Sequence, residues 1–363
     1  MIELNDLLTE AAQRRASDLH LTVGLPPVLR VDGALINTPY PPLTEADTDL
    51  YADQLTNADQ LAELARCGEV DFAVTAAGSA RLRCNIFRQQ GSTALALRLL
   101  PLTIPTAEEL CLPASVIAQA NKPRGLVLVT GPTGSGKSST LAALLDHINR
   151  TQRRHIITLE APIEYTYCRE GCIINQREVG RDTQSFAAGL RAALRQDPDV
   201  ILVGEMRDLE TISTAITAAE TGHLVFATLH AKGAANTVDR IIDVFPADQQ
   251  EQIRAQLADV LECVVSQALL PRIGGGRRAA FEVLLGSPAV RSLIRQKKTF
   301  QLTSTIQTGR KQGMILMDDS LAELVQTGQV FLEDALSAAV DPATLRLNCG
   351  GRPAAPAPVR PRT

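Results

Sequence analysis

The stretch of sequence that decides the fold covers residues 131–139, which read Gly131-Pro132-Thr133-Gly134-Ser135-Gly136-Lys137-Ser138-Ser139. It contains the pattern G-x-x-x-x-G-K-[ST], in which glycines let the backbone bend so that successive N–H groups face one phosphate. A short apolar run over 126–129 precedes it and a helical pattern over 138–149 follows it. These flanks favour a nucleotide site over the alternative, a flexible glycine-rich loop. We expect the nine residues to bind ATP, with Lys137 on the β- and γ-phosphates and Ser138 on Mg²⁺.

The residues around this stretch indicate a parallel sheet. Further apolar runs lie at 156–159, 200–203 and 224–227, each bounded by polar or turn residues. Continuous apolar runs are what parallel strands covered on both faces require. Helical patterns over 182–196 and 208–220 lie between them, and this alternation predicts an α/β domain.

Carboxylates follow two of the predicted strands. Glu205 comes just after the run 200–203, and Glu160 and Glu164 follow the run 156–159. Ligands of open parallel sheets bind at the carboxyl ends of strands, where the glycine-rich stretch also begins. Glu205 is therefore expected near Mg²⁺ and its water, although a surface glutamate opening a loop is the alternative. The spacing of four residues between Glu160 and Glu164 could place both near the phosphates, or one of them in a salt bridge. The alternative is a solvated acidic loop.

Two histidines flank the run 224–228. His230 is at its carboxyl end and is the better candidate for contacting a γ-phosphate, whereas His223 is at its amino end. A packed, hydrogen-bonded histidine remains an equal alternative. Opposite ends of one strand make the two an unconvincing metal pair.

The first hundred residues mix helix and strand without the α/β alternation, which predicts an α+β domain. Asp32-Gly33 is typical of a hairpin turn between strands at 28–31 and 34–36. A turn at Gly78-Ser79 is expected between two later strands, and prolines mark a linker over 101–113. The remaining helical patterns cover 4–12 and 44–66, and the remaining strand patterns cover 19–23, 70–75, 81–87 and 93–99.

The chain beyond residue 245 is predicted to be mainly helical. Apolar side chains at helical spacing form one long stripe over 247–270, made by Ile253, Leu257, Leu261, Val264 and Ala268. Residues 346–363 are predicted to be a disordered tail, because Pro, Ala and Arg dominate its later part.

Composition narrows the classes of function. The net charge is −4, the pI is about 5.8 and tryptophan is absent, which speaks against a nucleic-acid binder with a basic face or aromatic platforms. No apolar run approaches the roughly 18–20 residues that cross a bilayer, and the N-terminus does not resemble a signal peptide. The seven scattered cysteines are read as reduced thiols, which fits a cytosolic location.

Several segments in the same order resemble the type II/IV secretion ATPase superfamily, and within it the type IV pilus retraction ATPase family. The likeness runs from about residue 1 to 345. The segments that carry it are 125–138, 155–165, 199–208 and 221–230, with 16–21 and 24–33 near the start and 289–295, which resembles the family's late helical motif linked to retraction.

The resemblance implies a PAS-like α+β domain over 1–100, the linker 101–113 and a RecA-like P-loop ATPase domain over 114–345 with C-terminal helices. It also implies a cytoplasmic homohexamer that holds ATP between subunits. That ring would work with the pilus machinery and an inner-membrane platform protein, associating peripherally with that membrane. The roles it implies are an acidic box at Glu160 to Glu164, an atypical Walker B motif at Glu205 and a histidine box at His223 and His230. Nucleotide-contacting arginines are implied at Arg81, Arg83 and Arg98.

One position departs from the family pattern. Residue 161 is Ala where the acidic box usually carries Asp, which puts the hydrolysis rate in doubt more than nucleotide binding. The main interpretation is an ATP-hydrolysing motor for pilus retraction. The alternatives are a low-turnover nucleotide-binding accessory subunit, or a related assembly, secretion or conjugation ATPase.

Overall fold

A computed structural model describes residues 2–31, 33–76, 80–100 and 103–350. Asp32 of the predicted hairpin turn, the predicted turn at Gly78-Ser79, Pro101 of the predicted linker and residues 351–363 of the predicted tail lie outside the described residues. The chain divides into two compact units. The first comprises residues up to 104 together with 162–167, and the second comprises 105–161 with the rest of the chain from 168.

The first unit is an antiparallel sheet with helices, as an α+β domain requires. Its six strands lie in the order β3-β2-β1-β6-β5-β4. The strands are β1 (Asp18–Leu21), β2 (Val28–Val31), β3 (Ala34–Asn37), β4 (Glu69–Ala76), β5 (Ala80–Gln89) and β6 (Ser92–Leu100). The helices are α1 (Leu4–Gln13), α2 (Glu45–Leu55) and α3 (Ala58–Cys67).

The helical pattern predicted over 44–66 is two helices rather than one. The side chain of Asn57 accepts from the backbone N–H of Gln60 and begins α3, in a capping box that also uses the Gln60 side chain. Tyr51 of α2 is fully buried, and its hydroxyl donates to the carbonyl of Ile2 at 2.8 Å. The hydrogen bond from Tyr51 attaches the N-terminal end of the first unit to α2.

The second unit contains a seven-stranded sheet in the order β13-β12-β7-β11-β10-β8-β9. All neighbours are parallel except β13, which is antiparallel to β12. The strands are β7 (Gly125–Thr130), β8 (His155–Glu160), β9 (Ile173–Glu178), β10 (Val200–Val203), β11 (Leu224–Leu229), β12 (Leu261–Pro271) and β13 (Arg277–Leu285).

The helices of this unit fall into two groups along the chain. Those before β12 are α4 (Ala114–Ile117), α5 (Lys137–Thr151), α6 (Phe186–Ala193), α7 (Leu209–Glu220), α8 (Ala234–Asp243) and α9 (Gln250–Val260). Those after β13 are α10 (Pro288–Arg295), α11 (Leu302–Thr308), α12 (Met317–Gln326), α13 (Leu332–Ala338) and α14 (Pro342–Cys349). Short 3₁₀ helices lie at Ala118–Asn121, Thr299–Gln301 and Arg310–Gln312.

The four parallel strands predicted from apolar runs are confirmed. Every residue of β7, β10 and β11 is buried, so both faces of the central sheet are covered and no polar alternation is possible. None of the described helices is both long enough and apolar enough to cross a bilayer.

The helix predicted through residue 270 is wrong. The helical stripe ends with α9 at Val260, and Leu261 begins β12, which lies between β7 and β13. Cys263, Val264 and Val265 are fully buried in that sheet. A strand that is apolar on both faces also satisfies a spacing of three and four, so the period alone could not separate the two structures.

Replacing a buried strand residue should destabilise the second unit. Leu128→Ala in β7 removes a fully buried side chain and is expected to cost about 3 kcal/mol in the free energy of unfolding, because it leaves a cavity. Leu347→Ala in α14 is the control, since Leu347 is 81 % exposed and its loss should change stability by about 0.5 kcal/mol or less. Urea unfolding followed by circular dichroism compares them, and equal losses would contradict the sheet assignment.

Candidate functional site

The phosphate loop lies between β7 and α5. It leaves the sheet at Thr130, and α5 begins at Lys137. The Nζ of Lys137 donates to the carbonyl oxygens of Gly131 and Pro132, at 3.0 Å each. Gly134 and Gly136 have φ of 78° and 92°, a left-handed conformation that glycine adopts without strain. The sequence therefore bends the loop around its own lysine at the N-terminus of a helix, where anions are favoured.

Strand β12 fixes the base of this loop. A Cβ on Gly131 would lie 2.5 Å from the carbonyl oxygen of Gln267 and 2.6 Å from the Oγ of Ser135. The amide Nε2 of Gln267 donates to the carbonyl of Ser135 at 3.1 Å, and the contact is buried. The close approach of the two backbones thus requires glycine at 131. The side chain of Gln267 holds the loop against β12 through its hydrogen bond to Ser135.

Glu205 and His230 meet at the carboxyl ends of neighbouring strands. Glu205 follows β10 and His230 follows β11, and the Oε1 of Glu205 lies 3.2 Å from the Nε2 of His230. The same oxygen lies 2.6 Å from the Nε of Arg207. The backbone N–H of Met206 donates to the carbonyl of Thr228 at 3.0 Å, which joins the segment after β10 to the end of β11.

The carboxylate of Glu205 is held in its charged form. Burial favours the neutral acid, but the hydrogen bond and charge of Arg207, with the charges of His230 and Lys137, outweigh it. The pKa of Glu205 consequently lies below its usual range. An ionised carboxylate beside the phosphate loop is suited to binding a metal ion or orienting water.

Glu160 and Glu164 belong to different units. Glu160 ends β8 in the second unit, where its Oε1 accepts from the Thr158 hydroxyl at 2.6 Å and from the Gln176 amide at 3.1 Å. Glu164 lies in 162–167, which is part of the first unit. The residues of the predicted acidic box are therefore divided between the two units, which their continuous sequence does not reveal.

His223 is not brought to the phosphate loop of its own chain. It precedes β11 at the amino edge of the sheet, and its carbonyl accepts from the N–H of Gly125 at 3.0 Å. Its Nδ1 lies 2.9 Å from the carbonyl oxygen of Ala218. The length of β11 separates it from His230 by roughly 20 Å, so its place in a histidine box stays a prediction.

The three predicted arginines lie on one face of the sheet in the first unit. Arg83 and Arg98 are directly opposite each other on β5 and β6, and Arg81 is two residues further along β5. Like charges in that register destabilise a sheet. Asp18 on β1 offsets part of the charge, with its Oδ1 2.9 Å from the Nε of Arg98. Arg81 donates to the carbonyl of Ile163 at 3.0 Å within the same unit.

The described residues suit Mg²⁺ held together with a nucleotide. Among the residues that the structure describes, no group of three or more His, Cys, Asp or Glu side chains could hold a metal ion. Mg²⁺ commonly takes one or two carboxylates and completes its shell with phosphate oxygens and water. The Ser138 hydroxyl and the ionised Glu205 at the same sheet edge match that requirement.

Comparison with known proteins assigns the family. Residues 1–337 match the family model described as "Type II/IV secretion system protein". The chain is 48 % identical over 334 residues to the type IV pilus retraction ATPase PilT of Pseudomonas aeruginosa, covering 92 % of this chain and 97 % of that one. The chain belongs to the PilT family of type II/IV secretion system proteins.

Other members of the PilT family agree with this assignment. A twitching motility protein of Neisseria gonorrhoeae is 48 % identical over 310 residues, covering 85 % of this chain and 83 % of that protein. The crystal structure of the pilus retraction motor PilT with bound ADP matches with a TM-score of 0.89 and 48 % identity, covering 96 % of this chain and all of that one. This likeness confirms the predicted α/β, RecA-like fold.

Two residues that contact the site were not predicted from the sequence. Arg207 has an exposed side chain and looks like an ordinary surface charge, and Gln267 falls in the stretch interpreted as helix. A signal for Gln267 was present, because the polar pair Ser266-Gln267 follows an apolar run just as Glu205 does. The same pattern, an apolar run followed by polar residues, predicts the strands at 126–129, 156–159, 200–203 and 224–227.

Removing Arg207 should move the acid side of the pH profile. In Arg207→Gln, burial still raises the pKa of Glu205, but the hydrogen bond and charge of Arg207 no longer lower it. The carboxylate therefore takes up a proton at higher pH than in the wild type. The acidic limb of kcat/KM for ATP should therefore shift to higher pH, as measured by phosphate release across pH. Arg195→Gln is the control, because Arg195 is exposed in the turn after α6, and an unshifted limb in Arg207→Gln would rule out Glu205 as the titrating group.

Proposed function

We propose that this chain is the ATP-hydrolysing subunit of a ring motor that retracts type IV pili by removing pilin subunits from the fibre. The observation that carries the proposal is the contact between Glu205 and His230 at the same sheet edge as the phosphate loop. The retraction ATPase named among its relatives supports the choice of machine. The proposed assembly is a cytoplasmic homohexamer that acts on the pilus machinery through an inner-membrane platform protein.

The proposed chemistry divides among residues of the second unit. Backbone N–H groups within 131–139 and the ammonium of Lys137 bind the phosphates of ATP, and Ser138 and Glu205 would hold Mg²⁺. Bound Mg²⁺ supplies charge neutralisation at the β- and γ-phosphates. Glu205 orients the attacking water, and His230 contacts the γ-phosphate from the next strand. Glu160, at the end of β8, would supply negative charge near the metal site.

The first unit completes the site of a neighbouring subunit. Arg81, Arg83 and Arg98 concentrate positive charge on one sheet face with Asp18 as a partial counter-charge. An anion opposite this face relieves the repulsion between Arg83 and Arg98. Arginines placed on a γ-phosphate also stabilise the charge that spreads over its oxygens in the transition state. Glu164, in the same unit, and His223 are assigned to this interface as well.

The second candidate function is a low-turnover subunit that binds nucleotide and regulates another ring. Ala161 favours it, because the side chain next to Glu160 carries no carboxylate. Glu160 is engaged by Thr158 and Gln176, and the other carboxylate of the predicted acidic box is that of Glu164.

Steady-state hydrolysis separates the two functions. Lys137→Ala and Glu205→Gln should each lower kcat at least a hundredfold, because each removes a group that acts in the transition state. Ala161→Asp should raise kcat severalfold if the missing carboxylate limits the rate. Wild-type turnover no higher than that of Lys137→Ala would reject the motor function for the isolated protein, and circular dichroism checks that the variants still fold.

Mixing inactive variants tests the trans arrangement of the arginines. A Lys137→Ala subunit retains its arginines and an Arg83→Ala, Arg98→Ala subunit retains its phosphate loop. Mixed rings should therefore regain hydrolysis at interfaces that combine the two intact halves. Mixing Lys137→Ala with Glu205→Gln is the control, since both changes damage the same half and no interface is restored. Equal activity in both mixtures would contradict the interfacial site.

Deletion in the source cell tests the direction of force. Loss of twitching with pili retained is expected for a retraction motor, whereas loss of pili would identify an assembly motor. Electron microscopy counts the fibres, and complementation with wild type or Glu205→Gln shows whether hydrolysis is required. Binding to DNA that weakens with salt would instead favour the conjugation alternative.

A further inference from the structure

A buried glutamate lies outside the sequence motifs of the phosphate site. Glu282 is on β13 and is 7 % exposed. Among the described residues, no arginine, lysine or histidine forms an ion pair with it. Its Oε1 accepts from the backbone N–H of Ala234 at 2.6 Å, and its carboxylate also accepts from the backbone N–H of Met317. A buried charge of this kind needs a reason to be there.

The two donors are the first residues of two helices. Ala234 begins α8 and Met317 begins α12. Neither preceding residue, Gly233 or Leu316, supplies a side-chain cap. The first N–H groups of a helix lack internal partners and favour negative charge. One carboxylate from β13 therefore caps both helices.

The capping is strong enough to matter but does not cancel the effect of burial. Burial raises the pKa of Glu282, the N–H groups of Ala234 and Met317 lower it, and Asp318 raises it again. The net result is a pKa above the usual range. A group that served only to fill the core would be better replaced by an apolar side chain of the same volume.

The backbone of His230 is attached to the start of α8. Only three residues separate His230 from Ala234, and the Nη1 of Arg240 in α8 donates to the carbonyl of His230 at 2.7 Å. The N–H of Gly233 donates to the Oγ of Ser266 at 3.0 Å. Two successive N–H groups of this short segment are thus held by β12 and β13, and the segment ends 3.2 Å from Glu205 at the Nε2 of His230.

We propose that Glu282 is a positioning residue for hydrolysis: it fixes the first residue of α8 and so holds His230 against Glu205. Through Met317, the same carboxylate ties this arrangement to α12 and the helices that pack with it. The inference rests on the proposed role of His230 in hydrolysis.

A double-mutant cycle in the full-length protein tests the inference. Glutamine at 282 keeps the size of the side chain but removes its charge. Glu282→Gln should lower kcat about tenfold, because a small displacement of a reacting group is enough for a loss of that order. The KM for ATP and the Kd for ADP should stay within about twofold, since the phosphate loop is untouched. Glu282→Gln combined with His230→Ala should be no slower than His230→Ala alone, because the first change acts through the second residue.

Hydrogen exchange supplies a readout independent of activity. Peptides containing Ala234 and Met317 should exchange faster in Glu282→Gln, while peptides from 200–205 should not change. Glu262→Gln is the matched control, because Glu262 is another poorly exposed carboxylate of the same sheet that pairs with Lys122 and Arg291 at its opposite edge. Any loss of turnover in Glu262→Gln should multiply with that of His230→Ala.

The possible outcomes separate this inference from the proposed function. Losses in Glu282→Gln and His230→Ala that multiply would overturn the positioning role and leave the hydrolytic site intact. An unchanged kcat in Glu282→Gln would do the same. Full turnover in His230→Ala would overturn the role of His230 and the inference with it. If Glu282→Gln does not fold, Ser266→Ala, which frees only the N–H of Gly233, replaces it in the cycle with the same expected pattern.

Discussion

The parallel alignment of β7, β11 and β10 is the constraint on which the rest of the structure depends. In this register Leu229 pairs with Thr130, and Ala227 pairs with Val203. All three strands therefore end at one edge, and the residues that follow them converge without any long connection. The phosphate loop, His230 and Glu205 meet because hydrogen bonding between buried strands fixes how far each extends. The chemistry is set by that register more than by the loops themselves.

The sequence reveals this part of the fold because burial on both faces leaves a simple pattern. Runs such as Val200 to Val203 have no polar alternation. Because ligands bind at the carboxyl ends of parallel strands, Glu205 and His230 are then predicted to lie in the same site. The pattern failed at β12, where α9 and the strand share one apolar stripe across Val260. Because β12 was not predicted, neither was the contact between Gln267 and the phosphate loop. Glu282 could not be found either, because its partners are helix ends distant in sequence.

Neighbouring residues that belong to different units are the hardest to predict. Glu160 and Glu164 are four positions apart, yet they belong to different compact units. Nothing in their spacing indicates this, since it depends on which core each segment packs against. The arginines of β5 and β6 are a related case: the strands could be predicted from alternation, but the register that puts Arg83 opposite Arg98 arises only when the sheet forms.

The dependence of the phosphate loop on Gln267 has a consequence for how the protein is made. Ser135 and Gln267 are 132 residues apart, so a ribosome must synthesise β12 long after the loop has emerged. Until then the nascent chain carries the complete glycine-rich motif without the strand that shapes it. The contact between Gln267 and Ser135 can therefore form only in the last third of synthesis. A C-terminal truncation before residue 261 leaves the motif intact and removes the surface on which the loop rests.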